Sequence, residues 1–156
     1  MAIRADRCLL RPRPEPAGGM GEALTTLVLV ALGGALGSVA RVLVAKAVAT
    51  RLGDSFPWGT LIVNVSGALL IGALLPLLAE IRNVVVSGSG SPAVALLIVG
   101  LVGSYTTVSS FSLQTFALME EGAWRAAIAN LLASVALCLG AVFVASKAVA
   151  VLTGMI

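Results

Sequence analysis

The sequence has no histidine, only two cysteines and few charged residues. Without histidine it has no Ser-His-Asp triad and no histidine ligand for a transition metal or haem. Cys8 lies in a tail and Cys138 in an apolar segment, so no disulfide framework is expected. Charged residues make up 11% and hydrophobic residues 59% of the 156 residues, which leaves too little polar surface for a soluble globule. We therefore predict an integral membrane protein.

Acidic residues are absent from the apolar segments, because every Asp and Glu lies in a tail or a loop. A small proton-coupled multidrug exporter needs a carboxylate within the membrane to carry the proton. An enzyme needs an acid–base pair, and the spans contain none. The sequence therefore argues against both classes, and we predict that the chain is not an enzyme.

Four apolar segments occupy almost the whole chain, each near the ~20 residues that cross ~30 Å of hydrocarbon. The first, second and fourth run from about Leu24 to Ala49, from Gly59 to Ala79 and from Ala126 to about Val151, and the third follows a Gly/Ser-rich loop, Glu80 to Pro92. We predict an all-α membrane protein in which residues 23–156 form one domain of four transmembrane helices.

Residues 1–22 combine arginines, prolines and glycines and are predicted to form a disordered basic tail. The basic residues are not interleaved with aromatic ones and adjoin a membrane domain, so we do not predict nucleic-acid binding. Outside the tail, two basic residues fall on the N-terminal side of the membrane and three on the other, namely Arg82 and Lys147 against Lys46, Arg51 and Arg125. This near-balance predicts insertion in either orientation, although the four tail arginines leave a single orientation open.

The third segment contains the most informative stretch, GLVGSYTTVSSFSLQTF, from Gly100 to Phe116. Its middle, Ser104 to Ser110, has five hydroxyl residues, a tyrosine and one valine. At membrane depth, irregular or hydroxyl-rich backbone occurs only where it is buried in protein or lines a polar path. We therefore predict a helix broken near mid-membrane at Gly103–Thr107. A break frees carbonyls for a cation and N–H groups for an anion, so it is a candidate ion site, with a polar seam between helices as the alternative.

Polar residues in the second and fourth segments need partners in hydrocarbon. The carboxamide of Asn64 offers N–H donors to an anion, or it makes an interhelical hydrogen bond. Asn130 and Ser134 are four residues apart, so they share a helix face that is expected to meet the third segment.

The first segment has a small-residue face that includes Gly33 and Gly37, on which another helix can pack closely. Arg41 lies on or beside this face within the span. A buried arginine is costly in lipid, so we expect it to be paired, extended to the interface or turned toward water, in a structural or vestibule role.

Three motifs occur in order along the chain: GGALGSVAR, GTLIVNVSG and G-x-x-G-S-Y-T-T-x-S-S-F-S. In these motifs the chain resembles the CrcB or Fluc family of small four-helix fluoride channels, from about Leu24 onward. The resemblance implies a fluoride-specific channel in the plasma membrane that lowers cytoplasmic fluoride by passive export. It also implies an antiparallel, dual-topology dimer with two pores and a structural sodium ion at its centre.

The resemblance also assigns roles to individual residues. It implies that the main-chain carbonyls of Gly103 and Thr106 bind the sodium ion, and that Asn64 lies near the fluoride path. Phe111 is expected to offer a ring edge to the anion, with packing at the dimer interface as the alternative. The hydroxyl residues of the polar track are Thr107, Ser109, Ser110, Ser112 and Ser134. Arg41 matches the first-helix arginine of the family.

The chain departs from the family pattern in three places. Val108 replaces the first of two phenylalanines, Gln114 replaces a frequent glutamate, and Asn130 stands where the fourth helix often has tyrosine. One aromatic edge per subunit is therefore missing. This leaves open a pair with a homologous second subunit, in which the chain supplies only part of the pore, or a role as a non-conducting membrane partner.

Overall fold

The computed structural model of the chain describes residues 19–53, 55–77 and 92–154. Every element in these ranges is helical, which confirms the predicted all-α class. The helices are α1 (Met20–Leu52), α2 (Trp58–Leu77), α3 (residues 92–105), α4 (Val108–Glu120) and α5 (Trp124–Leu152). Helix α3 has three parts, which are Pro92–Val94, a π-helical section Ala95–Val102 and a final turn Gly103–Tyr105.

Four stretches of the described chain are long and apolar enough to cross a membrane. Helices α1, α2 and α5 each provide one, and α3 and α4 together form the third span, Pro92–Glu120. Large apolar side chains such as Leu32, Leu132 and Phe143 lie on the outside of the bundle, as expected for a surface in contact with lipid. The chain is a multi-pass membrane protein, as predicted.

The start of the first helix differs from its predicted position. Helix α1 begins at Met20, so residues 20–22 are helical, although the sequence predicts them as the end of the tail. Glu22 lies in the first turn, where a negative charge favours helix formation by complementing the helix dipole. The rest of the predicted tail, residues 1–18, and residues 80–91 of the predicted loop lie outside the described residues.

Helices α1 and α3 touch backbone to backbone. A Cβ atom on Gly33 would collide with the Leu96 carbonyl oxygen, and one on Gly37 would collide with that of Leu101. From the other side, a Cβ on Gly100 would lie 3.0 Å from the Gly33 Cα atom. The predicted small-residue face of α1 therefore packs against the π-helical section of α3, where only glycine leaves enough space.

Helix α5 packs against α4 through a buried polar pair. Asn130 is only 1% exposed, and its Nδ2 donates to Thr115 Oγ1 on α4 over 2.8 Å. Thr115 in turn donates its hydroxyl proton to the Phe111 carbonyl, 2.8 Å away. Ser134 is buried on the same face of α5. The face shared by Asn130 and Ser134 thus meets the third span through Asn130, as predicted.

The close contact between α1 and α3 predicts that one added methyl group lowers the stability of the protein. Substituting Gly37→Ala should destabilise the protein by about 1–3 kcal/mol, because the new Cβ collides with the Leu101 carbonyl and lies 3.1 Å from the Tyr105 nitrogen. The measurement is the thermal unfolding midpoint of the detergent-purified protein.

The matched control is Gly140→Ala in α5, where a Cβ meets no atom within 4 Å. This variant should be as stable as the wild type or slightly more so, because alanine favours helix over glycine. Equal unfolding midpoints for Gly37→Ala and the wild type would contradict the close contact between α1 and α3.

Candidate functional site

The third span is broken over two residues. Helix α3 ends at Tyr105 and α4 begins at Val108, while Thr106 (φ −78°, ψ 155°) and Thr107 (φ −150°, ψ 125°) are extended. This confirms the predicted break but narrows it, because Gly103 is helical (φ −62°, ψ −35°). The Gly103 N–H still bonds to the carbonyls of Gly100 and Ile98, which keeps the last turn of α3 intact.

Asn64 of α2 bonds to both backbone groups of Thr107. Its Nδ2 donates to the Thr107 carbonyl over 2.9 Å, and the Thr107 N–H donates to Asn64 Oδ1 over 2.8 Å. One carboxamide thus replaces the two hydrogen bonds that an adjacent strand would supply, at a depth where water is absent. The second N–H proton of Nδ2 is not used in this pair.

Three hydroxyl groups form a cluster where α4 begins. Thr107 is the N-cap residue, and its Oγ1 accepts a hydrogen bond from the Ser110 N–H at 3.2 Å. The same Oγ1 lies 3.1 Å from Ser109 Oγ and donates to Ser110 Oγ over 3.3 Å. The cluster lies at the positive end of the helix dipole, where a negative ion is favoured.

The carbonyls of Gly103 and Thr106 have lost their helical donors. In a continuous α-helix the Gly103 carbonyl would accept from the Thr107 N–H, and the Thr106 carbonyl from the Ser110 N–H. Here the Thr107 N–H bonds to Asn64 and the Ser110 N–H bonds to Thr107 Oγ1. Of the hydrogen bonds formed by the described residues, none ends on either carbonyl. Both oxygens are therefore able to bind a cation, as unwound backbone carbonyls do in other membrane proteins.

Helix α4 presents an uncovered face that contains hydroxyl groups. Val108 is 77% exposed, and Ser109, Ser112 and Leu113 are exposed beside it, whereas Phe111 is half-buried. Hydroxyl groups that face hydrocarbon are unfavourable, so this face is suited to contact with protein or with a polar path.

Buried polar atoms without a partner lie elsewhere in the bundle. In the described ranges these are Arg41 Nε on α1, Gln114 Oε1 on α4 and Ser134 Oγ on α5. Gln114 also lines an open pocket of about 430 Å³, together with Lys46, Thr60 and residues of the α1–α2 connection. Unpaired polar atoms are costly in a membrane interior, so the Gln114 oxygen is available to a ligand that enters from the pocket.

The structure brings together two groups among the predicted site residues, and Arg41, Phe111, Ser112 and Ser134 belong to neither. Asn64, Thr107, Ser109 and Ser110 are linked by hydrogen bonds around the break. Gly33 and Gly37 instead form the packing surface between α1 and α3.

Two hydrogen-bonded pairs were not predicted, Ser66 with Tyr105 and Thr115 with Asn130. In each pair a polar group within an apolar span finds a polar partner on another helix. The rule that such groups need partners in hydrocarbon therefore points to these residues, although it does not say which residue each one meets.

Comparison with known proteins gives a consistent result. The profile of the CrcB-like protein family, described as Camphor Resistance (CrcB), matches residues 28–146. A protein of Opitutus terrae named fluoride-specific ion channel FluC is 43% identical over 120 residues, which cover 77% of this chain and 89% of that protein. The FluC of Geobacter sulfurreducens is 46% identical over 116 residues, covering 74% and 90% of the two chains. FluC 1 of Nitrobacter hamburgensis is 46% identical over 129 residues, covering 82% and 98%.

The family profile covers the second and third spans completely and most of the first and fourth. The similarity to the relatives extends over at least nine-tenths of the Geobacter and Nitrobacter proteins. The chain therefore belongs to the CrcB family.

Proposed function

We propose that the chain is a fluoride-specific ion channel that lowers cytoplasmic fluoride by passive export. The observation that carries this proposal is the broken third span, where Asn64 forms hydrogen bonds with both backbone groups of Thr107. A continuous helix would bond the Gly103 and Thr106 carbonyls internally and leave neither free for an ion. The names of the relatives support fluoride as the ion.

In this proposal, the carbonyls of Gly103 and Thr106 hold a structural sodium ion at the centre of a dimer. Both carbonyls fit this role, because their helical donors are bonded elsewhere. Among the residues within the described ranges, no three Asp, Glu, Cys or His side chains come together, so main-chain oxygens are the natural ligands. A cation in a low-dielectric interior offsets part of the cost of dehydrating an anion.

The fluoride path is proposed to follow donor groups near the break. Fluoride is small and strongly hydrated, so it gives up water only where donors are dense. The unused Nδ2 proton of Asn64 and the Phe111 ring edge are two such groups. Hydroxyls continue the path, namely those of Thr107, Ser109, Ser110, Ser112 and Ser134. Of these, Ser134 Oγ is buried without a partner in the described part of the chain.

The assembly is proposed to be an antiparallel homodimer. The uncovered face of α4 places Ser109 and Ser112 where a single chain would expose them to lipid. A second, inverted copy would cover this face and bring two broken spans together. Arg41, whose Nε is buried without a partner among the described residues, would then contribute to the vestibule or to the interface.

A pair of unlike subunits is the second candidate, and two observations favour it. Val108 has no aromatic edge and is 77% exposed, so the chain itself does not use this side chain for packing. Asn130, where the family often has tyrosine, is buried and bonded to Thr115, so it does not extend toward a partner. In such a pair the chain would supply only part of the pore.

Fluoride efflux from proteoliposomes that contain only this chain tests the homodimer. We expect efflux of fluoride without comparable efflux of chloride, measured with ion-selective electrodes and compared with protein-free liposomes. If there is no efflux from the chain alone but efflux with a homologous second subunit, the homodimer is wrong and the hetero-pair is supported. If neither preparation conducts, the channel proposal is wrong and a non-conducting partner remains.

The substitution Asn64→Asp tests the donor role of the carboxamide. Aspartate keeps the oxygen that accepts from the Thr107 N–H, but it removes the Nδ2 donor and adds negative charge. Fluoride efflux should fall by about tenfold or more, because the loss of a donor to a charged ligand costs about 1.5–3 kcal/mol.

Ser146→Ala in α5 is the control for Asn64→Asp, because its hydroxyl bonds only to its own helix. Both variants are first compared with the wild type by gel filtration, so that misfolding is recognised. Efflux at the wild-type rate through a correctly assembled Asn64→Asp protein would remove Asn64 from the fluoride path.

The substitution Val108→Phe tests the missing aromatic edge. A ring at this exposed position should raise fluoride efflux by the chain alone roughly three- to tenfold, the range that corresponds to one favourable aromatic contact. Leu132→Phe, on the lipid-facing outside of α5, is the matched control and should leave the rate unchanged. Equal efflux by Val108→Phe and the wild type would mean that position 108 does not face the pore.

A further inference from the structure

Tyr105, the last residue of α3, is bonded to α2 at a point that the proposed fluoride path does not use. The residue is only 9% exposed, and its hydroxyl lies 2.8 Å from Ser66 Oγ. Ser66 donates its single hydroxyl proton to the Val63 carbonyl, 3.0 Å away. Tyr105 must therefore be the donor to Ser66 Oγ, which gives the order Tyr105 to Ser66 to Val63.

Gly67 makes room for this hydrogen bond. A Cβ at Gly67 would collide with the Thr106 methyl group and lie 3.3 Å from Cδ1 of the Tyr105 ring. The ring therefore passes over a part of α2 that carries no side chain, and it reaches Ser66 beyond it. The same glycine brings Thr106 against α2.

Helix α2 thus holds the third span on both sides of Thr106. Asn64 binds Thr107, which follows it, and Ser66 binds Tyr105, which precedes it. Tyr105 also lies between Gly103 and Thr106, whose carbonyls have lost their helical donors. The phenol hydrogen bond therefore restrains the short segment that separates these two oxygens.

We infer that Tyr105 is a positioning residue for the cation site, and that its hydrogen bond to Ser66 fixes the Gly103 and Thr106 carbonyls at one separation. This inference rests on the sodium site proposed above. Without the bond, the last turn of α3 is free to rotate against α2, and the two carbonyls meet the ion in many arrangements. Sodium then has to order this segment when it binds, which lowers its affinity.

The direction of the hydrogen bond makes Tyr105→Phe a mild substitution. Ser66 keeps its bond to the Val63 carbonyl, so no buried polar group loses its only partner. Ser66→Ala, in contrast, leaves the Tyr105 hydroxyl buried without an acceptor, which costs more than the lost bond itself. The two substitutions are therefore expected to affect stability unequally, although both remove the same interaction.

The experiment measures how sodium stabilises the full-length detergent-purified protein. Thermal unfolding midpoints are recorded while sodium chloride replaces N-methylglucamine chloride at constant ionic strength, and the half-saturating sodium concentration is obtained. In Tyr105→Phe this concentration should rise roughly fivefold, as expected for the loss of one hydrogen bond of ordinary net strength. Ser66→Ala should raise it at least as much, and Ser66→Thr, which keeps a hydroxyl, should restore the wild-type value.

The control is Ser146→Ala, whose hydroxyl bonds to the carbonyl three residues earlier, as that of Ser66 does, but has no tyrosine partner. A purely structural role for Tyr105 would lower all unfolding midpoints equally and leave the half-saturating concentration unchanged, and this result would overturn the inference. If Tyr105→Phe does not fold, the comparison of Ser66→Ala with Ser66→Thr decides in the same way. If sodium does not stabilise the wild type, the sodium site is wrong and the inference falls with it.

Discussion

The structure depends on one constraint, which is that every peptide group in hydrocarbon needs a partner inside the protein. Ending a helix in mid-membrane leaves several N–H and C=O groups without one. The chain meets part of this demand with two polar side chains, the Asn64 carboxamide and the Thr107 hydroxyl. The carbonyls of Gly103 and Thr106 are among the groups left unmatched, so the arrangement that permits the break also concentrates negative partial charge beside it.

The position of the break depends equally on close packing. Gly33 and Gly37 bring the backbone of α1 against α3, and Gly67 brings α2 against Thr106 and Tyr105. The contacts of Gly33 and Gly37 are between main chains and leave little freedom, because no side chain is present there that could adjust its rotamer. The broken segment is therefore packed between α1 and α2. Such rigidity suits a site that has to replace the hydration shell of an ion.

Several features could be predicted from the sequence for physical reasons. A run of hydroxyl residues inside an apolar span is compatible with few backbone structures in lipid. The break in the third span could therefore be located to within a few residues. The spacing of Asn130 and Ser134 was enough to predict that their face meets the third span. The similarity of the motifs around Asn64 to a known family added the expected ion, which no single residue reveals.

Other features could not be predicted because they depend on three-dimensional contacts. The π-helical section Ala95–Val102 has an apolar sequence that suits an α-helix equally well, and its wider turn accompanies its contact with α1. The pairing of Ser66 with Tyr105 requires knowing that Gly67 leaves room for the ring. The break is also shorter than predicted, because the Gly103 N–H keeps its helical hydrogen bonds, whereas the Thr107 N–H bonds to Asn64.

Helix α1 has 33 residues and α2 has 20, so at 1.5 Å per residue they measure about 50 Å and about 30 Å. Only the shorter helix matches the thickness of the hydrocarbon layer. The first turns of α1, residues 20–28, are exposed in the described part of the chain. If two copies insert head to tail, one exposed start of α1 lies on each side of the membrane. The pair then presents the same surface to the cytoplasm and to the outside. A soluble protein in either compartment would therefore meet the same exposed helix.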